Sequence, residues 1–340
     1  MGRVYSFQKN SRRPMGSIQK RILLITTSCL LGMCIIISSV SYYLFRNYLQ
    51  NSLIHSTETS LQLLTDSING SIDDISQIVR FCQTNANIAT YIQENPNPGS
   101  VLSVSTYDRI FEEYSNNPSN NYINRLAVIT DEHFLQIVSA AYSSTADLSA
   151  EVPRLPYFDR LLDASDYDFT TGFVKDSFYR NGKYILPILR PITYQYNSVR
   201  GGILFLQISS DLFTDALKRY KIAEDSYMFL SVGGHNYIYE NGSLLKWTES
   251  YQITQDLSSS ALIDSIYVNE VSDSEGTRLV VTSPLSMPDC YISQSISQSE
   301  LRNRRFLLCL ILGGTLISIV GIGIFLMLIL NRMINVPVSK

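Results

Sequence analysis

Acidic residues are missing from both ends of this chain. All 30 Asp and Glu lie between Arg46 and Arg305, against 19 of the 27 Lys and Arg, so the middle carries a net −11 between two purely basic ends. An acidic middle without a basic patch argues against nucleic-acid binding, where phosphate neutralisation dominates affinity. Cysteine is scarce: Cys29, Cys34 and Cys309 lie in apolar runs, which leaves Cys82 and Cys290 and excludes a disulfide scaffold. A single Cys82–Cys290 bridge would require a helix position to meet a strand within disulfide reach. The three histidines, His55, His133 and His235, fall on a stalk helix and two hairpins, which does not assemble a shared metal site. Phosphate-loop, zinc-protease and nucleophile-elbow motifs are all lacking, so no catalytic residue, metal or cofactor is expected. Gly233-Gly234 reads as a turn, and Gly321-Ile322-Gly323 as packing within an apolar helix.

Charge of either sign is absent from 22–45 and again from 306–330. Each run is long enough to span a bilayer as a helix, which takes about 20 apolar residues. The rival reading of the first run is a cleaved signal peptide, with Ser39-Val40-Ser41 as the small-residue site. The run is longer than the roughly 7–15 residues of a signal core. Six bases precede it and Arg46 alone follows closely, which places a basic tail, 1–21, in the cytoplasm. Arg302, Arg304 and Arg305 before the second run oppose this locally. With the first helix setting topology, both termini face inward and 46–305 lies outside. Ser28 and Gly32, and Gly314, Ser318 and Gly321, follow small-residue spacing, read either as a dimer seam or as ordinary membrane-helix composition.

Between the runs the period of the apolar residues changes. Ile54, Leu61, Leu64, Ile68, Ile72, Ile75, Val79 and Cys82 recur at three and four, predicting one long helix from 46 to about 93, ended by Asn95-Pro96-Asn97-Pro98-Gly99. Stalk and linker together occupy 46–104. From about 107 the pattern predicts a hairpin of 123–130 and 134–140, a short helix at 156–162, and strands at 169–174 and 183–193 joined through Asn181-Gly182. A strand at 202–208 and a helix at 212–220, introduced by Ser209-Ser210-Asp211, complete a lobe of 105–222. A second lobe, 223–305, opens with a hairpin of 226–232 and 236–240 capped by Asn241-Gly242. It continues through a polar helical stretch near 255–266 to strands at 278–282 and 291–296. The fold class is therefore α+β: two mixed lobes on one long helix, flanked by membrane helices.

Several of these residues carry a resemblance. Arg190-Pro191-Ile192, then Gly201-Gly202-Ile203-Leu204-Phe205-Leu206-Gln207-Ile208 and Asp211-Leu212, in this order of elements, resemble the double Cache ectodomain of bacterial receptors, two PAS-like lobes on a long N-terminal helix. Past the second apolar run, Arg332, Ile334 and Pro337 in the pattern Arg-x-Ile-x-x-Pro-Val resemble the start of a HAMP linker, the helical signal relay. Together they look most like sensor histidine kinases of the YesM type. The resemblance implies a ligand pocket in the membrane-distal lobe, onto which fall Arg154, Tyr157, Phe158, Tyr184, Arg190 and Gln207. Arg154 there could clamp an anion, while the three aromatic residues read equally as core. Amino-acid-binding Cache domains place an arginine two residues before an aromatic pair and an aspartate late in the sheet. Here the arginine stands three before Tyr157-Phe158 and Gln207 takes the aspartate's place, which counts against an amino-acid ligand.

The resemblance also implies a homodimer, because the relay is a bundle built from two copies. The partner outside the cell is then a small molecule or peptide, and the partner inside is a response regulator reached through a kinase domain. Ten residues follow Leu330, too few for a phosphoacceptor histidine and an ATP-binding domain, so the chain reads as a receptor interrupted at the start of HAMP. The alternatives are a stand-alone membrane-anchored binding or regulatory protein, and the input half of a chemoreceptor or cyclase.

Overall fold

The computed structural model of the chain describes residues 17–139, 147–164, 167–178, 182–193, 200–220, 225–247, 266–273, 276–296 and 298–335. It falls into two units: Leu53–Gln298, and the described parts of Met1–Ser52 with Ser299–Lys340. The terminal unit is helical, formed by the start of α1 (Ser17–Thr84) and by the last helix of the chain. Among the described residues one helix is long and apolar enough to cross a membrane, Arg302–Phe325, with mean hydropathy 2.5.

In Leu53–Gln298, α1 buries Leu61, Leu64, Ile68, Ile72, Ile75, Ile78, Val79 and Cys82, the expected stripe at three and four. Gly70 sits in it without a break, on a side where an added Cβ would meet nothing. The stalk is not one helix to residue 93. Asn85 interrupts it by accepting hydrogen bonds on its side chain from the N–H groups of Asn87 and Ile88, starting α2 (Ala86–Glu94). Asn95 then turns left-handed, φ 42°, and ends α2 at the predicted stop. A further helix follows, α3 (Val101–Asn116), capped by Ser100. Its buried face is Ser103, Thr106 and Ile110, so no apolar stripe announces it.

The first lobe is a five-stranded antiparallel sheet ordered β2-β1-β5-β4-β3. Its strands are β1 (Ile123–Ile129), β2 (Phe134–Ser139), β3 (Val174–Lys175), β4 (Tyr184–Thr193) and β5 (Arg200–Ser209). The 123–130/134–140 hairpin and the strands at 183–193 and 202–208 form as expected. The strand predicted over 169–174 does not: only Val174 and Lys175 pair, with Ile185 and Tyr184. A two-residue neighbour leaves most of β4 at the sheet edge, where Pro187 and Pro191 forfeit no ladder bond. Between β2 and β3 lie the short helices α4 (Leu148–Glu151) and α5 (Phe158–Asp163). They pack Leu148, Tyr157, Phe158, Leu161 and Leu162 against Ala127, Ile129, Leu189 and Phe205 of the sheet. Gly202 admits α2 closely, since a Cβ there would stand 2.9 Å from Ile92.

After α6 (Asp211–Arg219), the second lobe is a six-stranded antiparallel sheet ordered β8-β7-β6-β11-β10-β9. It comprises β6 (Met228–Val232), β7 (His235–Glu240), β8 (Ser243–Lys246), β9 (Tyr267–Asp273), β10 (Gly276–Pro284) and β11 (Cys290–Ser295), and is followed by α7 (Gln298–Asn335). Strands β8 and β9 are additions to the predicted set. The helical stretch near 255–266 falls almost wholly outside the described residues, as do Asn181 and Pro337. Cys82 and Cys290 are both buried and both free.

The lobes meet where the loop before β3 reaches the β6–β7 turn. Phe173 donates its N–H to the Tyr237 hydroxyl at 2.8 Å, and its ring meets those of Tyr237 and Phe213 edge-on at 5.0 and 5.6 Å. Gly172 and Gly233 both hold positive φ, and at Gly233 a Cβ would lie 1.8 Å from the Phe169 carbonyl oxygen. That joint therefore closes only with glycine.

Candidate functional site

Beneath α5 the first lobe buries a set of polar side chains. Arg125 on β1 lies opposite Gln207 on β5, two residues along each strand from the core pair Ala127 and Phe205. Alternation puts all four on one face. Arg125 and Gln207 are both 0% exposed. Asp176, one residue past β3, is buried beside them.

The bonding pattern is specific. Arg125 Nε donates to Gln207 Oε1 at 3.3 Å, and Gln207 Nε2 donates onward to Asp176 Oδ1 at 3.3 Å. The Phe178 N–H reaches the same Oδ1 at 3.0 Å, while Asn124 Nδ2 donates to Asp176 Oδ2 at 2.8 Å and to Gln207 Oε1 at 3.4 Å. Asn124 and Arg125 are consecutive and would ordinarily point to opposite faces. The register shift between Ile123 and Arg125 lets both reach Gln207. The guanidinium carbon lies 5.0 Å over the Phe178 ring, which is braced edge-on by Phe205 at 6.0 Å. Both terminal nitrogens, Nη1 and Nη2, are buried with no hydrogen-bond partner.

Burial pulls the Arg125 pKa down, and Asp176 opposes that shift. An arginine remains charged even so. The Tyr157 phenol is pushed up to about 12 by burial and by Asp176, so it stays neutral. The buried thiols Cys82 and Cys290 are likewise pushed up to about 12, chiefly by desolvation, and are not reactive thiolates.

Of the residues selected from the sequence, Tyr157 and Phe158 share the core with Phe205, one turn of alternation from Gln207. The other three lie apart. Arg154 ends the short 3-10 turn Val152–Arg154, with its side chain 73% exposed and paired with Glu151 at 3.3 Å. Tyr184 is 57% exposed at the start of β4. Arg190 stacks on Tyr167 at 4.3 Å, and both Tyr184 and Arg190 occupy β4 positions out of phase with Leu189, which pairs with Phe205. The relay residues Arg332 and Ile334 fall within α7. Sequence reasoning missed Arg125, Asn124 and Asp176. A charged residue inside the apolar strand Ile123–Ile129 was the available signal, since a strand buried on both faces has no water for a guanidinium. Among the described residues no group of three or more His, Cys, Asp or Glu could hold a metal ion.

No family model matches the chain, and none of the curated proteins does. Solved structures are similar in outline. The sensor domain of the Vibrio cholerae histidine kinase DctB matches at 12% identity and TM-score 0.46, over 73% of this chain and 98% of that one. The ligand-binding domain of the Pseudomonas aeruginosa PAO1 amino-acid chemoreceptor PctB, in complex with L-Arg, matches at 13% and 0.44, over 72% and 97%. Methyl-accepting chemotaxis protein X matches at 10% and 0.45, over 73% and 99%.

Proposed function

We propose that this chain is the ligand-sensing and transmembrane-signalling module of a sensor histidine kinase, a double-lobed extracellular domain of the double Cache kind carried between two membrane helices. In this reading 22–45 and 306–330 span the membrane, both termini are cytoplasmic, and two copies act together. A small ligand binds the first lobe, and the change passes through the second span to a relay that begins at Arg332, Ile334 and Pro337.

The observation that carries the reading is the buried Arg125–Gln207–Asp176 set. A stable domain gains little by burying a guanidinium with unfilled donors, and a bound ligand would supply the acceptors they lack. Two further features support it. Ile36, Ile37 and Leu44 on α1 are each about 60% exposed, as a lipid-facing surface requires. Asp176 also lies three residues from Phe173, which anchors the first lobe to the second, so a change at the site has a short covalent route to the joint. The ligand drives signalling only by binding one arrangement better than another.

The test is thermal denaturation of the full chain in lipid nanodiscs against a broad metabolite library. A ligand at saturation, about 100 times its Kd, adds about 2.7 kcal/mol to folded-state stability and raises the melting temperature by several degrees. A library that leaves the melting temperature unmoved throughout would sink the sensing role.

A further inference from the structure

We infer that the cleft between the two lobes is a second binding site, and that it takes a small organic monocation with N–H or N–CH3 groups at its head. The cleft shares no residue with the Arg125–Gln207–Asp176 set, so the inference goes beyond the first-lobe reading and does not depend on what that lobe binds.

The cleft has a volume of about 260 Å³. Tyr167, Asp168, Phe169 and Thr170, from the loop before β3, line it on the side of the first lobe, and Pro288 and Asp289, from the β10–β11 turn, on the side of the second. The Tyr167 and Phe169 rings stack with centroids 6.1 Å apart and planes only 6° from parallel, which gives the cleft an aromatic wall. Its two carboxylates come from separate lobes, 121 positions apart in the chain.

The charge of the lining selects the ligand. Neither lysine, arginine nor histidine is among the lining residues, and the two charged ones are both acidic. Asp168 Oδ1 accepts the Thr170 N–H at 2.8 Å, while its Oδ2 stands 3.6 Å from Arg160 Nε, too far for a hydrogen bond. Among the described residues no base forms an ion pair with Asp289. A cationic head meets both carboxylates, and its carbon body lies against the rings and Pro288. An anion meets two like charges in the same place. Arg160 offsets Asp168 in part, and Arg190 covers one face of Tyr167 from outside the lining, so a single positive charge fits where a polycation does not.

The position of the cleft gives occupancy a consequence. The Asp289 carbonyl accepts the Gly233 N–H at 3.1 Å, and Ser286 in the same turn donates its N–H to Asn69 Oδ1 of α1 at 2.8 Å. A cation held by Asp168 and Asp289 therefore ties the first-lobe loop to a turn already fastened to α1, the helix that contains the first apolar run. Its binding favours the arrangement in which the two carboxylates approach each other, which without it is opposed by their repulsion.

The experiment titrates the full chain in nanodiscs with butylammonium, benzylammonium and choline, and, at the same ionic strength, with butanol, benzyl alcohol, glucose and sodium butyrate. Calorimetry reads affinity, and amide hydrogen exchange reads where the probe binds. At least one of the three cations is expected to bind and to slow exchange in both 167–173 and 285–290, while the alcohols, the sugar and butyrate do neither. Asp289→Asn keeps the shape of an exposed side chain at φ +53°, a conformation asparagine also adopts, so it leaves the fold intact. Asp168→Asn keeps the acceptor for the Thr170 N–H. Each variant is expected to weaken the cation by about 10-fold or more. The inference is overturned if none of the cations binds, if an alcohol or glucose binds as tightly, if the slowed exchange lies outside those two segments, or if either variant binds the cation unchanged. Every one of these results leaves the first-lobe reading standing, because a ligand there slows exchange around Asn124, Arg125 and Asp176 instead.

Discussion

The two lobes fill their interiors in different ways. Each is an antiparallel sheet with buried polar residues, but the second lobe pairs several of its own with one another. Thr282 and Ser293 bond across β10 and β11 at 2.8 Å, Ser295 Oγ accepts the Tyr227 N–H at 2.7 Å, and Ser231 bonds Asn236. Its buried arginine, Arg278, donates to the Asp225 carbonyl at 3.2 Å and stacks on Tyr227 at 4.9 Å. The first lobe buries both an arginine and an aspartate and leaves the arginine's terminal nitrogens without acceptors. A closed network of hydroxyls specifies a core, whereas a buried charged group with unfilled donors carries a cost that packing alone does not offset. Under the proposed function, the contrast assigns sensing to the first lobe and support to the second.

The largest effect that tests this contrast is expected from Asp176→Ala. It strands Asn124, Gln207 and the Phe178 N–H and removes the charge that offsets Arg125, costing on the order of 3 kcal/mol in chemical denaturation. A loss below about 1 kcal/mol would mean that water readily replaces the carboxylate and that the first lobe is no more charged in practice than the second.

Next comes the joint between the lobes. Gly233→Ala forces a Cβ into the Phe169 carbonyl and strains a residue at φ +53°, whereas Gly234→Ala meets nothing within 4 Å at φ +81°. The first is expected to cost more than about 2 kcal/mol and the second about 1 kcal/mol, the latter from backbone strain alone. Equal losses would show that Phe169 yields and that the close approach is incidental.

The smallest effect belongs to the second lobe. Thr282→Val with Ser293→Ala removes both partners of a buried hydroxyl pair, so it should change stability by less than about 1 kcal/mol, with either single substitution costing more than the pair. A double mutant as damaging as Asp176→Ala would erase the distinction between the lobes.

Much of this organisation was legible in the residue order. The stripe on α1, the β1–β2 hairpin, the long strands β4 and β5 and the stop at Asn95 all follow from local periods and from single residues with strong backbone preferences. The helix α3 was not legible, because Ser103 and Thr106 are buried by what packs on them and not by their own apolarity. Strands β8 and β9 gave weak signals for a related reason: they lie at the two edges of their sheet, where pairing needs only one neighbour and little apolar alternation. Tyr157, Phe158 and Gln207, selected through the resemblance to double Cache domains, lie in or beside the buried polar set. Arg154 and Arg190 drew attention for their chemistry and went elsewhere, one to solvent and one onto a tyrosine.

By itself, then, the sequence determined where the chain is apolar, where it is helical, where it is extended, and that its acidic residues are confined to the middle. These are properties of neighbouring residues and need no partner. Only the tertiary structure decided which polar groups lose their water. Arg125 and Gln207 are 82 residues apart, Asn124 and Asp176 are 52 apart, and a strand irregularity at Asn124 brings them to one face. Burial and pairing across such separations depend on sheet order and register, which local composition does not encode.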